Sequence, residues 1–440
     1  MIFQTRKPGE EEICNNFVTN KNCFEKIFES GCKTEEKTGL EYEKIYVKED
    51  FSSASYEEIR KLTQIFSKSE NGELMYENGF ITGADLKYGK ITFEPGAQLE
   101  ISLNPTEKIS EHKKIIDRYN EKTDKIAETF GLRHIPCGNQ PKTTFDGIKI
   151  IPKERYRMMT KYLQNKAECP FVMMRETAGI QTSIDYSSEE DACVKLKTAI
   201  KLSPIVSAMF ANSPLRKGKP SGMKSFRSFA WLNTDNDRCG LIGKKLFTKE
   251  FFGFSDYTEI LLDVPTIFIE KNGKYLQTGG LTFGEYMKKG FNGYFPTQKD
   301  VETHISLYFT DVRLKTYLEI RNHDSQQNEV IFAVPALWKG ILYDNSAICE
   351  INDIFKKATY NDFEELRAKT PQTGINTEFC GQKLSKICKE ILEISEHNLK
   401  KTDEQKFLYP LKELISKGLT PADKILEKYA LTKNLHDLYL

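Results

Sequence analysis

Four glutamates at two places in the chain have the spacing to hold a hard cation. In TGLEYEKIYV, Thr38 to Val47, Glu41 and Glu43 stand two residues apart in a β-rich run, so on a strand both point to one face. In YGKITFEPGAQLEIS, Tyr88 to Ser102, Ile91 and Phe93 alternate with Thr92 and Glu94 until Pro95-Gly96 interrupts the pattern. Leu99 and Ile101 then take the apolar side, while Gln98, Glu100 and Ser102 line the other. One kinked strand pair can therefore hold Glu94 and Glu100 over the same pocket. Mg2+ takes carboxylate oxygens in near-octahedral geometry and keeps water or substrate phosphate in its remaining positions. The plainer interpretation is an antiparallel sheet with a solvated face, which shows the same alternation.

Other chemistries find less support. The six histidines (His112, His134, His304, His323, His397 and His436) are scattered, and none belongs to a GxSxG or Cys/His signature. His304 and His323 read as structural residues, and the same lack of spacing disfavours zinc. Ala211 to Gly240 is rich in Gly, Pro, Ser and Asn yet holds Arg216, Lys217, Lys219, Lys224, Arg227 and Arg238. It reads as a mobile cationic loop that clamps phosphate or carboxylate through paired hydrogen bonds, with an ordinary solvated loop as the alternative. GKPSGMKS lacks the P-loop spacing, which disfavours a P-loop nucleotide site. What remains is a face of acids, Glu41, Glu43, Glu94 and Glu100 with Glu319 as a further candidate, opposed by Arg and Lys. That arrangement suits Mg2+ bridging phosphates in phosphoryl transfer, where catalysis is mostly positioning and charge neutralisation.

The acids need a sheet to align them and helices to cover its dry side. SSASYEEIRKLTQIFSKS, within residues 50 to 80, has Ser and Glu at capping spacing ahead of an apolar stripe, and Asn71-Gly72 marks a turn. Ser110 to Gly131 reads as a long helix burying Ile115, Ile116, Tyr119 and Ile126 against the dry face. Phe171 to Tyr186 ends in a third strand that offers Gln181, Ser183 and Asp185 to the polar side. A helix then starts at Ser187-Ser188-Glu189-Glu190 and ends or kinks at Ser203-Pro204. Asn272-Gly273 predicts a hairpin turn, and from about Asn352 the chain becomes Lys/Glu-rich with helical periodicity. The expected division is a catalytic domain over residues 1–350 and a helical region over 351–440 that packs on it.

Composition narrows the class. The chain has 440 residues, with 64 basic and 63 acidic residues for a net charge of +1, so no global field points to nucleic acid or an anionic membrane. Its longest apolar run, Ile260 to Ile269, contains Asp263 and Pro265 and is too short to span a bilayer. The N-terminus has no apolar h-region and the ten cysteines are scattered, which together predict a cytoplasmic protein with buried or free thiols.

Many segments in one order resemble the plant and proteobacterial glutamate–cysteine ligases. They include GLEYEK at Gly39 to Lys44, ITFEPGAQLEIS at Ile91 to Ser102, NQPK at Asn139 to Lys142 and ERYRMMTKYL at Glu154 to Leu163. The resemblance continues through Ala211 to Gly240, LDVP at Leu262 to Pro265, VRLKTYLEIR, VPALWKGILYD and LTPADKILEKY at Leu419 to Tyr429. It implies an α+β fold whose curved antiparallel sheet forms a funnel of the glutamine synthetase type, flanked by helices. It also implies ATP and Mg2+ as cofactors, glutamate and cysteine as substrates, and a γ-glutamyl phosphate that the cysteine amine attacks, the first step toward glutathione. On that basis Glu41, Glu43, Glu94, Glu100 and Glu319 would hold metal, and Arg227 with Glu94 would be catalytic. Arg227, Trp231, Arg155, Tyr156 and Gln181 would bind substrate. Lys217, Lys219, Arg238 and Arg321 would bind the nucleotide. No nucleic acid or membrane partner is expected, and the chain should be a monomer or homodimer.

Three departures from the family pattern stand out. Gln181-Thr182-Ser183-Ile184-Asp185 replaces a common Gln-Val-Asn-Leu-Asp, and Phe229 replaces the His of Arg-Ser-His-Ile-Trp. These keep open a ligase with another amine acceptor; a binding protein that has lost catalysis is a separate rival, against which the retained four acids and Arg227 argue. At positions resembling the plant regulatory cysteines stand Thr278 and Phe332, which predicts no plant-type disulfide switch.

Overall fold

The computed structural model describes residues 17–18 and 20–438. Its centre is a nine-stranded sheet. Along the chain the strands are β1 (Thr38–Lys48), β2 (Glu73–Glu77), β3 (Phe80–Leu86), β4 (Gly89–Phe93), β5 (Leu99–Thr106), β6 (Leu132–Ile135), β7 (Gly179–Ile184), β8 (Val312–Leu314) and β9 (Leu318–Asp324). They pair in the order β8-β9-β7-β1-β5-β4-β3-β2, with β6 also on β1. Every pair is antiparallel, and the sheet does not close. Register shifts at Thr38/Leu40 and Ile320/His323 interrupt the ladders, and such bulges bend a strand and sharpen its twist.

The two sides of β1 follow the alternation in its sequence. Tyr42 and Lys44 point to the covered side, where α2 (Ile109–Glu128) lies; α1 (Tyr56–Ser69) packs beside it. Lys44 is fully buried there, and its Nζ donates to Asn120 Oδ1, Thr123 Oγ1 and Asp124 Oδ1 at 3.1, 3.1 and 2.6 Å. The capping box expected at the start of α1 is present, Ser55 with Glu58. Between β4 and β5 the chain turns through Pro95-Gly96. A side chain at Gly96 would sit 2.3 Å from the Arg175 carbonyl oxygen, so only glycine lets α4 (Pro170–Glu176) approach. Ahead of α4 lies α3 (Glu154–Leu163), which brings Arg155 and Tyr156 to the sheet.

α5 (Glu189–Met209) runs unbroken through Pro204. The expected end at Ser203-Pro204 is therefore corrected. Leu202, Pro204, Ile205 and Val206 are all buried, and that packing outweighs the one backbone hydrogen bond that proline forfeits. α6 (Phe226–Leu232) follows, then α7 (Ala333–Leu342) against β7 and β1. In the C-terminal region α8 (Tyr360–Thr373) packs on α5, and α9 (Leu384–Leu399) packs on α7. His304 and His323 are structural as expected: His304 Nε2 lies 2.8 Å from the Leu261 carbonyl oxygen, and His323 accepts from Trp338 Nε1 at 2.8 Å. Among the described residues no helix is long and apolar enough to cross a membrane, and no two cysteines form a disulfide.

Candidate active site

The polar face of the sheet opens on a cavity of about 310 Å3. Register builds its floor. Glu43 lies opposite Glu100 across β1 and β5, Thr92 opposite Glu100 across β4 and β5, and Glu41 opposite Gln181 across β1 and β7. Glu94 comes from the turn after β4 and also lines the cavity. The Tyr156 hydroxyl lies 3.0 Å from the Phe93 carbonyl oxygen and 3.3 Å from Glu94 Oε1. Beside it Arg155 donates to Ser306 Oγ at 3.1 Å. Thus five separately predicted residues, Glu41, Glu43, Glu94, Glu100 and Gln181, meet on one surface.

Burial and mutual repulsion make Glu41, Glu43 and Glu100 hard to ionise. Desolvation, then Glu94, pushes Glu43 up to about 7. Desolvation, with Glu94, Glu41 and Glu43 behind it, holds Glu100 well above the usual carboxylate range, and desolvation with Glu319 raises Glu41. Like charges directly opposite across a strand pair destabilise a sheet unless a cation joins them. Three of the carboxylates lean on protein donors, Glu94 on the Tyr156 hydroxyl. Glu43 accepts from Gly179 N–H at 2.6 Å and from Gln181 Nε2 at 3.1 Å, and Glu100 accepts from the Thr92 hydroxyl. Among the described residues no three His, Cys, Asp or Glu are drawn into a ready coordination set. The donors fit Mg2+ in chemistry, charge and placement, and binding it calls for side chains to rotate away from these partners.

Glu319 differs from the other four. Its Oε2 accepts from Arg313 Nη2 at 2.5 Å and Arg321 Nη1 at 2.9 Å, and its Oε1 lies 3.2 Å from Lys315 Nζ. Burial alone would raise its pKa, but Arg313, Lys315 and Arg321 hold it well below the usual range. Arg321 Nη1 also donates to Gln181 Oε1 at 2.6 Å, so one hydrogen-bonded line runs from Arg313 through Glu319, Arg321 and Gln181 to Glu43. Cations on β8 and β9 thereby face acids on β1 and β5. Arg313 was not singled out from sequence. The signal lay in VRLKTYLEIR, where a hairpin through Lys315 to Tyr317 puts Arg313 opposite Glu319.

Arg227 and Trp231 stand on α6 at the rim. Arg227 is 3% exposed, its Nη2 donates to the Arg321 carbonyl oxygen at 2.8 Å, and a side chain at Gly179 would meet that nitrogen at 2.6 Å. Arg227 Nε and Trp231 Nε1 are buried donors without a hydrogen-bond partner. With Phe309 and Arg321 they separate the main cavity from a second, narrower pocket that also holds Asp311, Asn322 and Arg367. Asn322 Oδ1 is a buried acceptor without a partner. Unmet donors and an unmet acceptor at one place suit a ligand that carries both signs of charge.

The sequence model described as Glutamate-cysteine ligase family 2 matches residues 37–440. The chain belongs to this family. It is 34% identical over 432 residues to glutamate–cysteine ligase B, chloroplastic, of Oryza sativa subsp. japonica, an alignment covering 96% of this chain and 86% of that protein. To the chloroplastic glutamate–cysteine ligase of Arabidopsis thaliana it is 33% identical over 439 residues, covering 98% and 83%. In fold it is similar to the crystal structure of glutamate–cysteine ligase from Francisella tularensis in complex with AMP. That match has a TM-score of 0.60 at 13% identity and covers 93% of this chain and 88% of that one. Membership implies a ligase that uses ATP and acts on small molecules. The expectation of a cytoplasmic protein is overturned, because the relatives are named chloroplastic and point to a plastid. Lack of an apolar h-region argues only against secretion; plastid-directing segments are polar and amphipathic, so that feature does not separate cytoplasm from plastid. The N-terminal stretch concerned lies outside the described residues.

Within this ligase-family chain three assignments to the nucleotide need correction. Lys217 and Lys219 are exposed on a short hairpin, Leu215–Arg216 with Lys219–Pro220, and line neither pocket. Arg238 is 1% exposed and saturated: it bonds Asp235 Oδ2 at 2.7 Å, the carbonyl oxygens of Leu307 and Pro265, and the Tyr162 hydroxyl. It is a structural ion. Residues 211–240 are likewise no loose cationic loop, since Arg216 is paired with Glu176 at 2.8 Å, Lys224 with Asp423, and α6 is anchored in the core. Basic residue counts do not distinguish a clamp from a brace. The family departures also fall aside: Phe229 packs on Phe226, Ser183 faces Gly39, and neither lines the cavity.

Proposed function

We propose that this protein joins the γ-carboxylate of glutamate to the amine of cysteine at the expense of ATP, the first step toward glutathione. The observation that carries the reading is the row of mutually repelling acids, Glu43 and Glu100 buried and Glu41 and Glu94 half-buried, set opposite Arg155, Arg313 and Arg321 in one cavity. Those acids, with Glu319 adjoining, would hold Mg2+, and that ion would supply charge neutralisation for the nucleotide phosphates. A glutamate γ-oxygen attacks the γ-phosphorus and ADP departs; the amine nitrogen then bonds to the γ-carbon, loses a proton, and the carbon–oxygen bond to phosphate breaks. Arg155 and Tyr156 line the same cavity, which supports a role for them toward phosphate or the acceptor carboxylate. Arg227 Nε, Trp231 Nε1 and Asn322 Oδ1 take the zwitterionic head of glutamate. Residues 1–350 supply these groups, and residues 351–440 form a helical cap that adds Arg367 to the second pocket.

Cysteine is favoured over another acceptor because the two departures that kept the alternative open, Ser183 and Phe229, lie away from the cavity. The test is ADP release with ATP, Mg2+ and glutamate across a panel of amino acids and amines. Cysteine should be preferred and Glu94→Gln should abolish turnover; preference for another amine would move the reading to a same-fold ligase.

A further inference from the structure

The buried carboxylate of Asp324 has no place in the chemistry above, yet it organises the element that carries Arg227. Asp324 ends β9, is 1% exposed, and lies opposite Gly179 in the ladder to β7, the glycine over which the Arg227 guanidinium is laid. Its Oδ2 accepts from Asn212 N–H at 2.8 Å and from Ser213 Oγ at 2.6 Å, and its Oδ1 accepts from Ser225 Oγ at 2.9 Å. Both hydroxyls act on the first turn of α6. Ser213 Oγ accepts from Arg227 N–H at 3.1 Å, and Ser225 Oγ caps the helix by accepting from Ser228 N–H at 3.0 Å. Each hydroxyl has one proton; giving it to a carboxylate leaves the lone pairs free for those backbone donors. At the other end of the same side chain, Arg227 Nη2 is tied to the Arg321 carbonyl oxygen three residues before Asp324. Arg227 is thus held at its backbone and its tip by one strand.

A glycine makes room for this carboxylate. A Cβ at Gly138 would lie 2.6 Å from Asp324 Cβ and Cγ and 2.9 Å from Oδ2. Gly138 directly precedes the NQPK segment, so part of what that segment does is to pass a bare backbone beside Asp324. We propose that Asp324 is the positioning residue of Arg227, and that Asp324, Gly138, Ser213 and Ser225 form one device that sets how the guanidinium meets the amino-acid substrate. The proposal rests on the reading above in which Arg227 binds glutamate.

Two full-length variants perturb the device in different ways. Asp324→Asn keeps the shape but replaces one acceptor by a donor, and Gly138→Ala keeps the charge but displaces the carboxylate. In both, the KM for glutamate should rise about tenfold or more while the KM for ATP stays within about twofold, the size expected when one hydrogen bond to a charged group is misaligned. Combined with Arg227→Lys, Asp324→Asn should add little further rise, since residues acting through one group are not additive. A folded variant with unchanged glutamate KM, an equal rise for ATP, or full additivity with Arg227→Lys would overturn the positioning role. If Asp324→Asn does not yield soluble protein, Gly138→Ala decides. Wild-type protein that releases no ADP with glutamate would instead sink the ligase reading and the proposal with it, whereas active wild type with unaffected variants rejects the positioning role alone.

Discussion

Arg227 Nη2 donates to the main-chain oxygen of Arg321 at 2.8 Å, and both guanidinium groups pack on the Trp231 ring, 6.0 and 5.9 Å from its centroid. Two cations that would repel are held together by one backbone oxygen and one indole. Trp231→Leu removes the ring beneath both, at a cost of about 1–2 kcal/mol for a partly desolvated cation–π contact. Steady-state kinetics should register roughly a tenfold rise in the KM for glutamate with the KM for ATP little changed. Unaltered kinetics would make Trp231 an ordinary core residue.

Glu43 ties metal binding to pH. Its native pKa of about 7 lies above that of an unfolded glutamate, so between the two the native state binds more protons than the unfolded state. The stability that neutral Glu43 contributes is fully present below the unfolded pKa and is lost as pH rises through about 7. The Tm of metal-free protein should therefore fall as pH climbs through that range. Mg2+ should restore it at about pH 8 more than at about pH 6, and its binding near neutrality should release protons. Glu43→Gln should flatten the pH dependence and weaken Mg2+ binding; calorimetry in two buffers of different ionisation enthalpy measures both.

Arg238 and Asp235 form an ion pair with side chains 0% and 1% exposed. Arg238→Met strands the Asp235 charge, which costs about 3–5 kcal/mol. The expected outcome is a large drop in Tm or loss of soluble protein. By contrast, Lys217→Ala with Lys219→Ala should leave both Tm and the KM for ATP unchanged, because neither lysine reaches the cavity. A raised KM for ATP in that double variant would return the hairpin to the nucleotide.

No redox switch of the plant type should operate. Thr278 is buried with its hydroxyl on the Thr266 carbonyl oxygen, and Phe332 is buried against Phe407, so neither position offers a thiol. Dithiothreitol should change neither kcat nor electrophoretic mobility. Activity that rises or falls with an intramolecular disulfide contradicts this.

Local alternation was enough to place the acids. Glu41 and Glu43 had to share a face because a strand repeats every two residues, and Glu100 had to oppose Leu99 and Ile101 for the same reason. Register was not legible. Which residue faces Glu43 depends on pairing between strands more than fifty residues apart, and a slip by one would have turned Glu100 away from the pocket. Arg313 was hidden for the same reason, since only its pairing with Glu319 gives it a role. The sequence also could not distinguish Arg227 from Arg238. Both lie in one basic stretch, but a guanidinium serves a ligand only if its donors are left unmet, and that is decided by what the rest of the chain folds around it: Arg238 is saturated by Asp235, Leu307, Pro265 and Tyr162, whereas Arg227 keeps a free Nε beside a pocket.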